Sequence, residues 1–317
     1  MPHQRPFKQV DVFTARPYYG NALAVVLDAS GMSDDAMQRF AAWTNLAETT
    51  FLLPPTPEAA AAGADYQVRI FTTAYEMPFA GHPTLGSCHA WLEHGGTPKD
   101  PARIVQQCKV GLVAIRPEGR RLAFAAPPLA RSAIAPELLP ALLAALGLQA
   151  EQLVANQRLV NGPQFFGLLV DSADTVLSLK PDSAAIRAVL AQGGCSGVGI
   201  AAIEQESGSH GLIKRSNREA RAFGGSAAAA SPDNAQPSVE VRMFVSDLAV
   251  SEDPITGSFN ASLAQWLIAD GHAPSSYVAA QGTCIGREGR VHIYQDASGQ
   301  VWVGGDSVTC INGQVLL

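Results

Sequence analysis

The sequence predicts an α+β protein made of two similar halves, with a cleft between them. Three observations support this prediction. The chain has 317 residues, of which 47% are hydrophobic and 16% are charged, a composition that suits two well-buried domains. Short β-like runs alternate with a few helical stretches along most of the chain. A strand, a loop and a helix also recur in the same order in each half, which is typical of a duplicated fold.

The first half predicts four strands and two helices. The strands combine β-branched, aromatic and apolar residues; they are Gln9–Thr14, Asn21–Leu27, Thr49–Leu53 and Tyr66–Thr73. Ser33 is a suitable N-cap for a helix that continues to about Asn45. A second helix is predicted over Pro83–His94, where Gly95-Gly96 would end it.

The second half repeats this order. Its predicted strands are apolar runs bounded by turn residues: two short strands within Leu159–Asp171, then Gly197–Ile203, Val239–Val245, Val291–Tyr294 and Val301–Val303. The last two form a closing hairpin. Glu240 and Arg242 are expected on the polar face of their strand. Helices are predicted over Ala184–Ala191 and Pro254–Asp270.

The boundary between the halves is expected near Pro127-Pro128. This gives an N-terminal half of residues 1–127 and a C-terminal half of residues 128–317, with the option that a C-terminal strand crosses back to the first half. The stretch Ser207–Ser238 is rich in Gly, Ala, Ser and Asn. Such a composition indicates either a lid over a site or a plain surface insertion.

The two halves share a short sequence pattern. V-R-I-F (68–71) precedes G-H-P-T-L-G-S (81–87), and V-R-M-F (241–244) precedes E-D-P-I-T-G-S (252–258). Aligning Pro83 with Pro254 places His82 opposite Asp253. Proline is favoured at the first position of a helix, so we expect both helices to begin at these prolines. If both helix starts face one cleft, their free N–H groups would bind a carboxylate; the alternative is two ordinary capped helices.

Four side chains are candidates for the chemistry. Glu48 lies between a predicted helix and an apolar strand, where a carboxylate is solvated, paired or functional. In a closed cleft its pKa would rise toward neutrality, and it could act as both acid and base. His82 can exchange a proton near neutral pH. Asp253 is either a helix N-cap or part of the same site, and Ser258 would lie in the first helical turn.

Composition and motifs exclude other classes. The net charge of -6 is unfavourable for nucleic-acid binding. No apolar run approaches the roughly 18 residues of a spanning helix, and no signal-peptide pattern follows the N-terminus, so we expect a cytoplasmic protein without a membrane partner. G-V-G-I-A-A (197–202) opens a strand, unlike a dinucleotide fingerprint, and His89 and His94 have the wrong spacing for a helical metal site. Five widely spaced cysteines indicate reduced thiols. No metal or cofactor is expected.

At these residues the sequence resembles the PhzF-like family of phenazine-biosynthesis isomerases. The resemblance covers nearly the whole chain. The motifs that carry it are D-V-F-T (11–14), Gly20-Asn21 before A-V-V, N-L-A-E-T-T-F (45–51), F-A-G-H-P-T-L-G (79–86), E-D-P-I-T-G-S (252–258), Gln281-Gly282 and G-R-E-G-R (286–290). It implies a diaminopimelate epimerase-like fold, in which each half wraps a curved, mostly antiparallel sheet around a central helix.

The resemblance also implies a function. It predicts a homodimeric, cofactor-independent isomerase that shuttles a proton on a small anionic carboxylate such as trans-2,3-dihydro-3-hydroxyanthranilate. Glu48 would be the proton carrier, with His82, Asp253 and Ser258 as further catalytic residues. The expected substrate-binding residues are Gly81, Thr84, Thr256, Gly257 and Asn21.

The sequence departs from the family pattern beside the second motif. Phe259-Asn260 replaces the usual Ala-His, and Val245-Ser246 ends the strand that usually has proline there. These changes leave the catalytic set intact but bear on the shape of the pocket, which sets specificity. The alternatives are an epimerase or racemase of an amino-acid-like acid, or a non-catalytic ligand-binding or scaffold protein of the same fold. Related racemases use a cysteine in each half, whereas this chain has His82 and Asp253.

Overall fold

The structure, a computed structural model, describes residues 3–204, 236–246 and 251–317, which form seventeen strands and seven α-helices. The strands of the first half are β1 (Gln4–Val12), β2 (Asn21–Val26), β3 (Glu48–Leu53), β4 (Tyr66–Phe71), β5 (Glu76–Met77), β6 (Ile104–Cys108), β7 (Gly111–Glu118) and β8 (Arg121–Ala125). Then follow β9 (Ala130–Ser132), β10 (Leu153–Val160), β11 (Gln164–Val170), β12 (Gly197–Ile203), β13 (Val239–Val245), β14 (Ser276–Gln281), β15 (Gly289–Gln295), β16 (Val301–Gly305) and β17 (Ser307–Leu316).

The helices are α1 (Asp34–Thr44), α2 (Pro57–Ala61), α3 (Gly81–Glu93), α4 (Leu139–Leu146), α5 (Ala173–Ser178), α6 (Ser183–Gly193) and α7 (Gly257–Ala269). Short 3₁₀ turns cover Ala150–Gln152 and Thr283–Ile285. Among the described residues, no helix combines the length and the apolar character that crossing a bilayer requires.

The strand connections of the two halves are the same. In the first half, β1–β2 is antiparallel, β2–β3 parallel, β3–β4 antiparallel and β4–β6 parallel, and β6, β7 and β8 follow as antiparallel neighbours. The series β10, β11, β12, β13, β14, β15 and β16 repeats these directions in the same order. Because both halves form a sheet with the same strand directions, the predicted duplication and the α+β class are confirmed.

Two strand pairs join the halves. The last strand, β17, pairs with all nine residues of β1, and β8 pairs with β16. The short strand β9 pairs with β10 within the second half. The boundary near residue 127 stays a prediction.

Each half wraps its sheet around one buried helix. The residues from Gly81 to Cys88 are buried at the start of α3, and those from Gly257 to Ala264 are buried at the start of α7. Trp266 on α7 and Phe79 just before α3 are buried in one large apolar core together with strand residues from both halves. A helix that is apolar on all sides is expected inside a sheet. These two helices fix the position of the cleft.

Most elements agree with the sequence, and the local reasons are visible. Ser33 caps α1 by accepting a hydrogen bond from the N–H of Ala36 at 3.3 Å, and Asn45 ends the helix with a left-handed backbone. The strand Gly197–Ile203 and the strand Val239–Val245 have the predicted bounds. No elements had been predicted for α2, α4, α5, β5 to β9, β14 and β17. Residues 207–235 of the predicted lid or insertion lie outside the described residues.

The helix starts differ from the prediction. The helix α3 begins at Gly81, two residues before Pro83, and α7 begins at Gly257, three residues after Pro254. The backbone before α7 is held by the sheet, because the N–H of Asp253 donates to a carbonyl of β13 at 2.9 Å. A backbone group that pairs with a strand is not available to a helix. Asp253 is therefore not the N-cap of α7; Thr256 occupies that position.

A repeated ion pair shows the true register of the two halves. Arg69 binds Glu76 with two parallel hydrogen bonds of 2.9 and 2.7 Å, and Arg242 binds Glu252 in the same way at 3.0 and 2.8 Å. Each arginine is the second residue of the V-R-x-F pattern, and each glutamate faces the phenylalanine of that pattern across a short antiparallel contact. Arg242 is buried, contrary to its predicted place on a polar face.

This register corrects the alignment made from the sequence. Counting from the paired glutamates, E-M-P-F-A-G-H (76–82) corresponds to E-D-P-I-T-G-S (252–258). The two helices then begin at equivalent glycines. His82 stands opposite Ser258, and Asp253 stands opposite Met77. The alignment of Pro83 with Pro254 was wrong because the motifs share small residues that match in more than one register.

Candidate active site

The starts of the two central helices touch each other. A Cβ atom built on Gly81 would lie 2.7 Å from the backbone carbon of Gly257 and 2.7 Å from the nitrogen of Ser258. A Cβ atom on Gly257 would lie 3.1 Å from the Cα atom of Gly81. Only glycine permits this approach on both sides. The positive ends of two helix dipoles therefore meet at one place between the halves.

A cleft opens beside this contact. It holds about 780 Å³ of space, the adjoining solvent included. Seven of the nine predicted site residues line it: Glu48, Gly81, His82, Asp253, Thr256, Gly257 and Ser258. The sequence motifs from both halves thus contribute to one site.

Glu48 and His82 face each other in the cleft. Glu48 is the first residue of β3, which runs parallel to β2 and places Glu48 beside Leu23. The side chain of Glu48 is 15% exposed, and its Oε2 atom lies 3.4 Å from Nε2 of His82. The predicted rise in the pKa of Glu48 stays a prediction.

His82 is neutral in this environment. Its side chain is only 4% exposed, and burial lowers the pKa of the imidazole to about 3. Desolvation penalises the charged form of a buried base, so the ring does not carry a proton on both nitrogens near neutral pH. Within the described residues, Nε2 of His82 has no partner that meets hydrogen-bond geometry. A buried polar atom of this kind at the wall of a cleft is a candidate ligand contact.

Asp253 is held firmly on the second half. Its Oδ2 atom accepts a hydrogen bond from the hydroxyl of Thr256 at 2.5 Å, and its Oδ1 atom accepts one from the amide of Asn21 at 2.9 Å. Burial raises the pKa of the Asp253 carboxyl, and the two hydrogen bonds oppose this rise. Gln281 adds a further contact, since its amide donates to the carbonyl oxygen of Asp253 at 3.1 Å.

Two predicted substrate-binding residues lie behind the wall of the cleft. Thr84 is fully buried; its hydroxyl donates to the carbonyl of Ala80 at 2.9 Å and accepts from Gln106 at 3.1 Å. Asn260 makes the equivalent pair of contacts in α7, with the carbonyl of Thr256 and with Gln281. Thr84 is therefore a structural residue of the repeat. Asn21 is also buried and contacts other site residues instead of the cleft.

The sequence did not predict the other residues that line the cleft. The residues missed are Ala47, Thr72, Tyr75, Met77, Ala80, Pro163, Phe165, Ser196, Val245 and Ser246. They lie at strand ends and in loops, where single sequences carry little pattern. The pair Val245-Ser246 was noticeable in the sequence because it departs from the family pattern.

The charges around the cleft restrict its chemistry. Among the described lining residues there is no Lys, Arg or Cys, so the backbone N–H groups of the helix starts are the positive elements. Cys88 lies inside α3, and burial raises the pKa of its thiol to about 12. Within the same described ranges, no group of three or more His, Cys, Asp or Glu side chains could hold a metal ion.

Fold and cleft together define a class of α+β proteins with a cleft between two repeated halves. Solved structures share this fold. A PhzF-family phenazine biosynthesis protein of Bacillus anthracis superposes with a TM-score of 0.77 at 22% identity, over 99% of this chain and 100% of that one. A hydroxyproline epimerase from Agrobacterium vitis, solved with trans-4-hydroxy-L-proline, superposes with a TM-score of 0.55 at 14% identity, over 99% and 93%. The predicted epimerase-like fold is confirmed.

The family described as phenazine biosynthesis-like protein, PhzC-PhzF, matches residues 10–313, and the chain belongs to it. The antisense-enhancing sequence 1 protein of Schizosaccharomyces pombe is 31% identical over 98% of both chains. The trans-2,3-dihydro-3-hydroxyanthranilate isomerase of Pseudomonas aeruginosa is 33% identical over 56% of this chain and 61% of its own. Several relatives bear isomerase names, and the chain is an isomerase.

Proposed function

We propose that this isomerase moves a proton between two carbons of a small carboxylate, using Glu48 as the only acid–base group. Trans-2,3-dihydro-3-hydroxyanthranilate, the substrate named for the Pseudomonas relative, represents the proposed class. The proposal gains support from the neutral His82 opposite Glu48 and from the two helix starts in the same cleft.

One observation carries the proposal: the second half has no side chain at the position equivalent to Glu48. Thr49 of β3 pairs with Phe71, and Val198 of β12 pairs with Phe244, so the register makes Glu48 and Gly197 equivalent. A Cβ atom at Gly197 would lie 2.8 Å from the carbonyl oxygen of Phe244, so no side chain fits there. A racemase that works with two opposed bases needs a group in each half. A single base delivers the proton to the face from which it removed it.

The proposed reaction has two steps. Glu48, as carboxylate, removes a proton from a carbon next to a conjugated system, and the electron pair of the broken C–H bond spreads into that system. The protonated Glu48 then returns the proton to another carbon on the same face. The proton and the electron pair both stay within the enzyme–substrate complex, so the reaction consumes no cofactor. The Nε2 atom of His82 lies 3.4 Å from Oε2 of Glu48, close enough to help orient this carboxylate.

The substrate carboxylate is proposed to bind at the helix starts. The first N–H groups of a helix lack intrahelical partners and favour an anion. The contact between Gly81 and Gly257 brings the first turns of α3 and α7 to one point. The hydroxyl of Ser258 at the wall of the cleft is available for a further hydrogen bond.

An epimerase is the second candidate, because Asp253 lines the cleft and burial raises the pKa of its carboxyl. Asp253 could in that case supply a proton from the other face. The hydrogen bonds from Asn21 and Thr256 to its two oxygens disfavour this role, since both oxygens already act as acceptors. The stereochemistry of exchange separates the two candidates.

The test is turnover of trans-2,3-dihydro-3-hydroxyanthranilate in deuterated water, followed by absorbance and proton NMR. We expect isomerisation by the wild type, loss of at least about 10²-fold in Glu48→Gln as for removal of a general base, and full activity in the exposed control Glu137→Gln. Inversion at one carbon would replace the isomerase with the epimerase. An intact Glu48→Gln enzyme would overturn the role of Glu48. Wild-type protein that neither turns over nor binds small carboxylates would favour the scaffold alternative.

A further inference from the structure

Asn21 occupies the junction of the two halves beneath the site. It is the first residue of β2 in the first half, and its side chain is buried. The amide nitrogen Nδ2 lies 2.9 Å from Oδ1 of Asp253 and 2.9 Å from the carbonyl oxygen of Ile255, both in the second half. The same nitrogen lies 3.3 Å from Nδ1 of His82. One amide group thus connects the residues on both sides of the cleft.

We propose that Asn21 is a positioning residue that holds His82 in the tautomer with its hydrogen on Nε2, so that an N–H donor faces Glu48. The kinetic consequence rests on the proposed function. The tautomer itself is a property of the free protein and does not depend on any substrate.

The orientation of the amide follows from its partners. The carbonyl oxygen of Ile255 can only accept a hydrogen bond, and the carboxylate of Asp253 is an acceptor when ionised. The amide group must therefore turn its nitrogen toward both of them, with the oxygen on the other side. The two hydrogens of this nitrogen are then shared among three neighbouring acceptors, with the contact to Nδ1 of His82 the longest, and the nitrogen has no lone pair to accept a hydrogen from His82.

The tautomer follows from this orientation. A hydrogen on Nδ1 of His82 would point at the N–H hydrogens of Asn21, and two donors cannot share a hydrogen bond. Nδ1 must carry the lone pair, and a neutral imidazole then has its hydrogen on Nε2. Nε2 lies 3.4 Å from Oε2 of Glu48. Burial of the ring lowers its pKa to about 3, which agrees with a single ring hydrogen.

The backbone next to Asn21 is held in place by residues that do not line the cleft. The N–H of Gly20 donates to Oδ2 of Asp11 at 3.0 Å, and Arg287 donates to the carbonyl of Gly20 at 3.2 Å. A Cβ atom at Gly20 would lie 2.3 Å from the carbonyl oxygen of Val12. Asn21 therefore has little freedom to retreat from the site, as a positioning role requires.

This arrangement has a consequence for the reaction. With its hydrogen on Nε2, His82 turns a neutral N–H group toward Oε2 of Glu48, which lies 3.4 Å away, and cannot compete with Glu48 as a base through this atom. The opposite tautomer would present a lone pair to Glu48, and two acceptors would then face each other when Glu48 is ionised. Asn21 therefore favours the ionised Glu48 that the first step of the reaction needs.

The experiment reads the tautomer directly. Protein labelled with ¹⁵N-histidine is studied at pH 7 without substrate, and long-range couplings between the ring carbon-bound hydrogens and both nitrogens show which nitrogen carries hydrogen. The chain has seven histidines, and the signals lost in His82→Gln identify His82. We expect the Nε2–H form in the wild type. An Nδ1–H form or an imidazolium would overturn the proposal, even if every Asn21 variant failed to fold.

Variants test the cause. Asn21→Leu and Asn21→Ala both remove the N–H group that faces Nδ1 of His82, so both should give a mixture of tautomers. The matched control is Asn161→Ala, a buried asparagine that donates to the carbonyl of Ser258 at 2.8 Å and should leave the His82 signals in the wild-type form. A wild-type tautomer in both folded Asn21 variants would refute the role of Asn21.

Kinetics give a second readout. Since Asn21 does not line the cleft, Asn21→Ala should lower kcat by about 10- to 100-fold through misplacement of His82, with KM little changed. A rise in KM at constant kcat would indicate a substrate contact and contradict the positioning role. If the wild type shows the Nε2–H tautomer and no turnover, the proposed function fails while the assignment of Asn21 stands.

Discussion

A methyl group at Gly81 would test whether the contact between the helix starts builds the site. In Gly81→Ala the new Cβ atom would lie 2.7 Å from backbone atoms of Gly257 and Ser258, whereas ordinary van der Waals contact begins at 3.4 Å. The helices must therefore separate by about 0.7 Å, the difference between these two distances, because the contacted atoms belong to the backbone and cannot rotate away. Overpacking of this kind costs about 1–3 kcal/mol of stability.

The loss of activity should exceed what the loss of stability explains. Because the displaced atoms are the proposed anion site, a shift approaching 1 Å is expected to lower kcat/KM by roughly 10²-fold. Stability is measured from urea unfolding, and activity from the turnover assay under conditions where the variant is folded. The matched control is Gly313→Ala in β17, where the added Cβ atom meets nothing within 4 Å.

Wild-type stability together with wild-type kcat/KM in Gly81→Ala would refute the reasoning, because the two helix starts would then not be in contact. A loss of stability with full activity would keep the contact and remove its role in substrate binding. The control should match the wild type in both measurements.

Two further predictions concern buried charges. Glu252→Gln should lower the free energy of unfolding in urea by about 3 kcal/mol, because it leaves the buried Arg242 without its carboxylate. Glu76→Gln should lower it by about 1 kcal/mol, because Arg69 keeps a second acidic partner, Asp34. Equal losses in the two variants would contradict the difference in burial. Burial lowers the pKa of His82 to about 3 in the folded protein, so the unfolded state binds the proton first on acidification. The free energy of unfolding should therefore fall between pH 6.5 and pH 3, by up to about 1.4 kcal/mol per pH unit. His82→Gln should flatten this slope, and an unchanged slope would show that the imidazole is not buried as described.

The fold was predictable from the sequence to the extent that its elements carry local patterns. The helix after Ser33 has a cap and an apolar face, and the strand Gly197–Ile203 is a continuous apolar run bounded by turn signals. The missed elements lack such patterns. The strand β17 (Ser307–Leu316) is largely exposed beyond its first residues and owes its place to pairing with β1, which no local window reveals.

The sequence predicted candidate residues that share one cleft, and it did not predict the geometry of that cleft. Glu48, His82, Asp253 and Ser258 come from motifs that are specific in sequence, and all four line one cleft. The buried places of Asn21 and Thr84 depend on contacts across the interior. Those contacts join residues far apart in sequence, so spacing gives no information on them.

The error in register has a physical origin. Two prolines, Pro78 and Pro83, lie near the start of α3, so a sequence comparison offers Pro254 two partners. The paired charges Arg69–Glu76 and Arg242–Glu252 permit only one, because each glutamate binds the arginine and faces the phenylalanine of its own half. Ion pairs repeated across a duplication are a better guide to register than turn residues.

The corrected register shows where the two repeated halves differ at the cleft. Both halves provide a helix start, a glutamate paired with an arginine and a glutamine that is hydrogen-bonded to a residue of the first helical turn. The groups that handle a proton differ between the halves: Glu48 stands where the other half has Gly197, and His82 where it has Ser258. Under the proposed function, an anion bound between the halves would contact both helix starts, and Glu48 of the first half alone would transfer the proton. The hydrogen bonds to both oxygens of Asp253 are what would keep proton transfer on one face.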